Sequence, residues 1–201
     1  MDVRKIVILG PESTGKSVLS QQLADHFNTL WCPEFAREYL TEFGSSYTYD
    51  DLLVIARNQV RTEDEHLELV RKKQTDPSGL NTDTTNQLSV GNAGPLLFID
   101  TNMYVMKVWC EYVFNNCHRY ILDQIIERPY DLYLLCNTDL PWVKDDLREY
   151  PDPENRQRLY SIYKDLMINQ SVPWVEIAGD YSQRLPTAIR AVNDLLRSSL
   201  F

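Results

Sequence analysis

The stretch that decides the fold is RKIVILGPESTGKS, residues 4–17, in which a β-branched apolar run leads into GPESTGKS at residues 10–17. This second part matches the phosphate-binding pattern G-x-x-x-x-G-K-[S/T] in full. Glycines in such a loop let successive backbone N–H groups converge on phosphate oxygens, and the helix that follows adds its positive end. The sequence therefore predicts a strand, a phosphate-binding loop and a helix in that order.

The pattern also predicts what individual residues of the loop do. Lys16 is expected to reach the β and γ phosphates of a nucleotide, and the Ser17 hydroxyl is expected to bind Mg2+. The alternative, a Gly-Lys turn before an ordinary helix, does not account for the buried apolar strand that precedes the loop. ATP and Mg2+ are the expected cofactors, and the predicted ATP-binding residues in the loop are Gly10, Glu12, Ser13, Thr14, Gly15, Lys16, Ser17 and Val18.

Length and charge limit the class of protein. With 201 residues, 43% of them hydrophobic and 24% charged, the chain is expected to form a single globular domain over residues 1–201. A net charge of −9 repels nucleic acids and anionic membranes, so neither is an expected partner. The apolar run at residues 6–9 is too short for a signal peptide or a membrane span. These features predict a cytoplasmic protein.

Apolar patterns along the rest of the chain predict strands that alternate with helices. Strands are expected at residues 4–9, 30–32, 96–99, 131–136 and 175–178. Helices are expected at residues 15–28, 34–43, 50–73 with Asp50 as N-cap, from 104 onward, 154–170 and 185–198. Residues 74–94, rich in Thr, Asn, Asp, Ser and Gly, are expected to be a flexible loop. The alternation predicts the α/β P-loop NTPase fold, a parallel five-stranded sheet with helices on both faces and a helical lid.

A second apolar strand ends in an acidic residue that is a candidate metal ligand. The segment PLLFID, residues 95–100, ends in Asp100, and an aspartate at this point of a P-loop protein holds Mg2+ opposite the loop hydroxyl. The alternative is that Asp100, with Thr101 and Asn102, caps the helix that follows. The P-loop favours metal binding, so Ser17 and Asp100 are the predicted metal ligands.

The segment PEFARE, residues 33–38, follows the short second strand. In a P-loop kinase an acid here could accept the proton of the acceptor hydroxyl, and an arginine three residues later could hold substrate or phosphate. Glu34 and Arg37 fit these roles, and the adjacent Phe35 is included in the predicted substrate site. The alternative is an exposed ion pair between Glu34 and Arg37, which would contribute only a few tenths of a kcal/mol.

Residues 138–158 carry the features of a phosphoryl-transfer lid. They include TDLPWVKDDLR at residues 138–148 and a further arginine at the start of the next helix. Arginines on a mobile segment neutralise the transferring phosphoryl group once the segment closes, and Arg148 and Arg156 are the candidates. Trp142 is predicted to contact substrate, because a loop tryptophan is costly unless it packs on something. The alternative is a solvated charged loop.

Five segments together resemble the nicotinamide riboside kinase domain of NadR-type proteins over nearly the whole chain. They are GPESTGKS at 10–17, PEFARE at 33–38, FIDTN at 98–102, DLPWVKDDLR at 139–148 and EIAGDYSQR at 176–184. The resemblance implies a stand-alone kinase that phosphorylates the 5′-hydroxyl of nicotinamide riboside with ATP, giving nicotinamide mononucleotide for NAD synthesis. Its expected partners are thus a small-molecule nucleoside and ATP, and its expected catalytic residues are Lys16, Glu34, Asp100 and Arg148.

Two positions depart from the pattern of this family. Pro33 stands where such domains can carry a tryptophan suited to stacking on nicotinamide, and Asn102 replaces an aspartate. Trp31, Phe35 or a tyrosine of the following helix could supply the stack instead. Two alternatives stay open, a kinase of another nucleoside or small molecule, and an ATPase switch that binds a protein partner.

Overall fold

The computed structural model describes residues 2–75, 95–145, 147 and 151–198. The predicted loop over residues 74–94 lies outside the described residues from position 76 onward. Its first two residues, 74 and 75, belong to a helix instead. Within the described residues, no helix is both long and apolar enough to span a bilayer.

Strands and helices alternate along the chain as the sequence predicts. The strands are β1 (Arg4–Leu9), β2 (Leu30–Cys32), β3 (Leu96–Asp100), β4 (Leu132–Cys136) and β5 (Trp174–Ile177). The helices are α1 (Lys16–His26), α2 (Phe35–Phe43), α3 (Tyr49–Thr75), α4 (Met103–Phe114), α5 (Arg119–Glu127), α6 (Pro153–Ile168) and α7 (Tyr181–Ser198). The strands form one parallel sheet in the order β2-β3-β1-β4-β5, which confirms the predicted α/β fold.

The sheet is covered on both faces because alternate strand residues point in opposite directions. On β1, Val7 and Leu9 belong to a buried cluster that includes residues of α3, α4 and α6. Ile6 and Ile8 belong to a second cluster that includes residues of α1 and α7. All four residues are fully buried, which explains why the strand lacks polar residues at its centre.

The strand order places the phosphate-binding loop beside the predicted metal ligand. β1 lies between β3 and β4, and Ile8 is paired with Asp100 across the β1–β3 ladder. The chain leaves β1 toward β2 and β3 on one side, and β4 and β5 complete the other side. Ligands of open α/β sheets bind beyond the carboxyl ends of strands where the order reverses in this way. The candidate site is therefore expected at the carboxyl end of β1.

Several helix boundaries differ from the sequence expectations, and three of the differences have a local cause. α3 is capped by Thr48 and Asp51 rather than by Asp50, since the Asp51 carboxylate accepts from the Thr48 N–H at 2.7 Å and the Thr48 hydroxyl accepts from the Asp51 N–H. The single helix expected from residue 104 onward is two helices, because Asn115 adopts a left-handed conformation that ends α4. α7 begins four residues earlier than expected, because the Asp180 carboxylate caps its first turn.

Candidate functional site

The phosphate-binding loop adopts the backbone conformation that its glycines permit. Gly10 has φ 137°, and a Cβ there would lie 2.7 Å from the Cys136 carbonyl oxygen, so the loop passes against the end of β4. Gly15 has φ 78° and precedes α1. The Lys16 ammonium donates to the Pro11 carbonyl at 3.0 Å, across the loop. The cradle predicted from the sequence is thus present at the N-terminus of α1.

Five of the predicted ATP-binding residues line the main pocket of the described structure, namely Gly10, Glu12, Ser13, Lys16 and Ser17. Thr14 is buried under the loop, where its hydroxyl donates to the Pro11 carbonyl at 2.8 Å. Gly15 supplies the turn into the helix. The Val18 side chain is 53% exposed on the outer face of α1.

Asp100 lies at the carboxyl end of β3 and is fully buried. Neither of its carboxylate oxygens has a hydrogen-bond partner of good geometry among the described residues. Burial, and after it the negative charge of Glu34, raises the pKa of Asp100 to about 7. Smaller effects of Lys16, Ser17 and Arg37 lower this pKa. A divalent cation would neutralise such a buried carboxylate, and the neighbouring Ser17 hydroxyl offers a second oxygen ligand.

The helix cap that could have explained Asp100 is made by another residue. The Asn102 side chain occupies the N-cap position of α4 and accepts from the Tyr104 N–H at 3.1 Å. The N-cap expected within residues 100–102 is thus present, but Asn102 makes it and the Asp100 carboxylate does not.

Thr101 brings Glu34 to the same corner of the site. The Thr101 hydroxyl donates to the Glu34 carboxylate at 3.2 Å, and its N–H donates to the Ile8 carbonyl at 3.2 Å. Thr101 has φ 77°, a conformation that costs a β-branched residue energy and persists where the surrounding structure enforces it. The two acids predicted separately from the sequence therefore lie near each other, because Thr101 directly follows Asp100 in the chain and contacts Glu34.

The pocket continues from the phosphate-binding loop into an apolar chamber. Glu34, Arg37 and Leu40 line it from the side of α2. The opposite walls come from α4, α6 and the single residue Leu147. These wall residues are Val105, Val108, Trp109, Tyr112, Leu159 and Tyr163. A molecule held in the chamber would thus lie between the phosphate-binding loop and three aromatic side chains, with Glu34 at the junction.

The aromatic side chains of the chamber are held by hydrogen bonds at their polar ends. The Trp109 indole N–H donates to the Tyr47 hydroxyl at 2.7 Å, and the Tyr112 hydroxyl donates to the Asn155 side chain at 2.9 Å. Tyr163 is buried against the sheet. Fixed rings of this kind offer flat faces to a planar ligand at little entropic cost.

Two of the residues proposed for stacking lie elsewhere. Trp31 packs in the cluster between the sheet and α1, because its neighbour Cys32 takes the face toward α3. The Phe35 side chain packs among residues of α2, α3 and α4. Neither is among the residues that line the chamber, and the contact of Phe35 with substrate stays a prediction. Tyr112 of α4 does line the chamber.

Arg37 contacts the predicted lid rather than Glu34. Its guanidinium donates to the Asp145 carboxylate at 2.9 Å and also lines the chamber. Within the described residues, no ion pair joins Glu34 and Arg37, so the alternative of an ordinary i,i+3 pair is wrong. Arg37 instead connects α2 to the segment over residues 138–158.

The described part of that segment lies against the phosphate-binding loop. The Arg156 guanidinium donates to the carbonyls of Ser13 and Leu140 at 3.3 and 3.2 Å, and it lies over the Trp142 ring at 5.6 Å. The Val143 N–H donates to the Ser13 hydroxyl at 3.0 Å. Trp142 thus meets Arg156 and is not among the residues that line the chamber, and its contact with substrate stays a prediction. Arg148 lies outside the described residues.

Arg184 supports the phosphate-binding loop and was missed by the sequence analysis. Its buried guanidinium donates to the carbonyls of Thr14, Gly179 and Asn137 at 2.8 to 2.9 Å and pairs with Asp139. It therefore ties α7 to three loops at the carboxyl edge of the sheet. The spacing of apolar residues along an amphipathic helix does not distinguish a buried arginine of this kind from an arginine exposed to solvent.

Replacing Arg184 by methionine is expected to lower the free energy of unfolding by about 3 kcal/mol, since three carbonyls and one carboxylate lose their partner. Urea denaturation followed by circular dichroism measures this loss. The matched control is Arg190→Met on the exposed face of the same helix, where a change within about 0.5 kcal/mol is expected. Equal stability of the two variants would contradict the supporting role.

Comparisons with known proteins agree with this geometry. A profile of the AAA domain family matches residues 5–184. The trifunctional NAD biosynthesis/regulator protein NadR of Escherichia coli K12 is 25% identical over 199 residues, covering 96% of this chain and 43% of the relative. Its counterpart from Salmonella typhimurium LT2 gives the same figures. The chain thus spans less than half the length of the curated relatives it matches.

Solved structures show the same fold at lower identity. A NadR protein in complex with NR superposes with a TM-score of 0.67 at 20% identity, covering 96% of this chain and 50% of that one. A thymidylate kinase from Ehrlichia chaffeensis gives 0.56 at 12% identity, covering 98% and 100%. Deoxyadenosine kinase from M. mycoides gives 0.51 at 12% identity, covering 94% and 99%. These identities establish the fold alone.

Proposed function

The chain belongs to the AAA domain family, and from that premise we propose that it is an ATP-dependent nucleoside kinase that phosphorylates nicotinamide riboside. The reaction transfers the γ-phosphoryl group of ATP to the 5′-hydroxyl of the ribose. It gives nicotinamide mononucleotide, ADP and the proton of the hydroxyl. Because it uses ATP, we place the protein in the cytoplasm.

The observation that carries the proposal is that Glu34 lines the same pocket as the phosphate-binding loop and the aromatic side chains, and accepts from Thr101 beside Asp100. A hydroxyl that enters the chamber would meet the Glu34 carboxylate close to the γ-phosphate position. Glu34 would accept its proton as the new P–O bond forms, while Lys16 holds the β and γ phosphates. Mg2+, held by Ser17 and Asp100, would neutralise charge on the same phosphates.

The chamber also fits the acceptor that we propose. A nicotinamide ribosyl group carries a flat cation, and aromatic faces attract such a ring by about 0.5 to 2 kcal/mol. Trp109, Tyr112 and Tyr163 provide these faces, and Glu34 adds negative charge nearby. The likeness to NadR proteins, one of them solved in complex with NR, supports the same acceptor. An ATPase switch would need no aromatic chamber beside its phosphate site.

We also propose that residues 138–158 close over the bound nucleotide. Arg156 already contacts the Ser13 carbonyl, so a modest movement of its guanidinium would bring it to a phosphate oxygen. Arg148 is the second arginine proposed for this role. The Arg37–Asp145 contact joins the acceptor side to this segment, so acceptor binding and lid position would be coupled.

The proposal is tested with ATP and a panel of nicotinamide riboside, nicotinic acid riboside, uridine, cytidine and thymidine. ADP formation is followed, and the product is identified by mass. We expect kcat/KM for nicotinamide riboside to exceed that for neutral nucleosides by about 2- to 30-fold, the range of one cation–π contact. Trp109→Leu should lower the ratio of kcat/KM for nicotinamide riboside to kcat/KM for the neutral nucleosides. Phe43→Leu, on an exposed ring at the end of α2, should leave it unchanged.

Two results would contradict the proposal. Preference for a neutral nucleoside would mean that the chamber serves another acceptor. ADP formation at equal rates with and without any nucleoside would mean that water is the acceptor and that the protein is an ATPase.

A further inference from the structure

We propose that Gln59 is a positioning residue that fixes the main chain on both sides of Glu34 and thereby directs its carboxylate into the chamber. The inference rests on the proposed role of Glu34 as the proton acceptor. Gln59 lies on α3 and is only 1% exposed. It belongs to neither the phosphate-binding loop nor the chamber wall, and nothing in the sequence pattern marks it.

The carboxamide of Gln59 makes complementary contacts before and after Glu34. Its Oε1 accepts from the Phe35 N–H at 2.7 Å, and its Nε2 donates to the Pro33 carbonyl at 3.2 Å. The same Nε2 lies 3.6 Å from the Cys32 sulfur. One planar group thus satisfies a donor and an acceptor of the main chain that flank a single residue.

The contacts of Gln59 hold the start of α2 without using the Glu34 side chain. Glu34 is the N-cap residue of α2, and the first N–H groups of a helix need acceptors from outside the helix. In the described residues the Glu34 side chain makes no capping hydrogen bond. Gln59 accepts from the first of these N–H groups, that of Phe35, and the Glu34 carboxylate accepts from the Thr101 hydroxyl.

The location of Gln59 makes a purely structural role a poor explanation. Its helix neighbours Leu52, Ile55, Ala56 and Val60 form an apolar cluster in which a buried amide is costly unless it is hydrogen-bonded. The hydrogen bonds of this amide go to the Glu34 segment. Glu34 is therefore held at two points, its main chain by Gln59 and its carboxylate by Thr101.

Loss of the main-chain contacts is expected to slow the chemical step. A misplacement of about 1 Å in a reacting group can cost on the order of 100-fold in rate. We expect Gln59→Leu to lower kcat by about 10- to 100-fold, with the KM for ATP unchanged within twofold. The matched control is Asn58→Ala, at the next position of α3, where the carboxamide donates to the Val54 carbonyl of its own helix. It should keep the wild-type kcat.

Gln59→Glu separates positioning from stability. The introduced carboxyl group has the same shape as the amide. When ionised it lacks the donor for the Pro33 carbonyl, and when protonated its O–H supplies that donor while its C=O accepts from the Phe35 N–H. The ratio of kcat for Gln59→Glu to kcat for wild type should therefore rise as pH falls. The melting temperature of Gln59→Glu is measured over the same pH range, because an ionised carboxylate at this buried position also lowers stability. A ratio that changes with pH while the protein stays fully folded indicates positioning, whereas a ratio that only follows the folded fraction indicates a structural defect.

The outcomes distinguish this inference from the proposed function. If the wild-type protein phosphorylates an acceptor but both Gln59 variants keep its kcat, or if the Gln59→Glu ratio is flat with pH, positioning by Gln59 is wrong. If wild type phosphorylates no nucleoside, the proposed function is wrong. Hydrogen exchange of the Phe35 amide then decides the inference. Faster exchange in folded Gln59→Leu than in Asn58→Ala supports it, and equal exchange overturns it.

Discussion

Replacement of Lys16 by alanine is expected to lower kcat for phosphoryl transfer by about 10³-fold, since one preorganised donor to a charged transition state is worth about that much. The ammonium group lies within the phosphate-binding loop, 3.0 Å from the Pro11 carbonyl, where the β and γ phosphates would sit. The side chain is half-buried and makes little packing contact, so the fold should survive. ADP formation with nicotinamide riboside and the melting temperature measure the two effects.

The matched control for this variant is Lys73→Ala. Lys73 is exposed on α3 and, like Lys16, donates from its ammonium to a main-chain carbonyl, that of Asn28 at 2.9 Å. The Lys73→Ala substitution also deletes one such hydrogen bond, but Lys73 lies away from the phosphate-binding loop. We therefore expect wild-type turnover in this variant. Unchanged turnover in Lys16→Ala would exclude phosphoryl transfer through this loop.

The local parts of the site could be predicted from the sequence because their determinants are neighbours in the chain. The strand, loop and helix around residues 4–26 follow from one apolar run, two glycines and a lysine. Asp100 follows from its position at the end of a second buried strand. Parallel pairing of β1 with β3 then brings these two predictions together without any further information.

The surroundings of Glu34 could not be predicted in this way, because they come from distant parts of the chain. The sequence offers Arg37 as the partner one turn away, whereas the structure pairs Arg37 with Asp145, 108 residues later. The hydroxyl that contacts Glu34 belongs to Thr101, 67 residues away. Which polar groups meet is decided by tertiary packing, and a single sequence carries no record of that.

The directions of the aromatic side chains in the chamber wall could not be predicted from the sequence either. Helical spacing predicts α4, but it does not tell which side chains face the chamber and which pack elsewhere. Trp31 is close to Glu34 in sequence yet points to the opposite face of the sheet, since adjacent strand residues alternate. Trp109 is far from Glu34 in sequence and lines the same chamber.

Replacement of Glu34 by glutamine is expected to lower kcat by about 10²- to 10⁴-fold, the usual loss when a general base is removed. The carboxamide oxygen can still accept from the Thr101 hydroxyl, so the side chain keeps its place and only its basicity is lost. The KM for ATP should change little, because Glu34 lies on the acceptor side of the loop. The matched control is Glu38→Gln, one turn along α2 and exposed, which should retain wild-type kcat.

Comparison of Glu34→Gln with Asp100→Asn distinguishes the role of the base from that of the metal ligand. Removing the Glu34 charge should lower the pKa of Asp100, because that charge is one of the two main causes of its elevation. Glu34→Gln should therefore keep its affinity for Mg2+, whereas Asp100→Asn should need far more Mg2+ for turnover, since it loses the metal carboxylate. A titration of initial rate against Mg2+ and Mn2+ measures both. If Asp100→Asn shows the larger loss in kcat and manganese rescues neither variant, the roles of base and metal ligand must be exchanged between these two carboxylates.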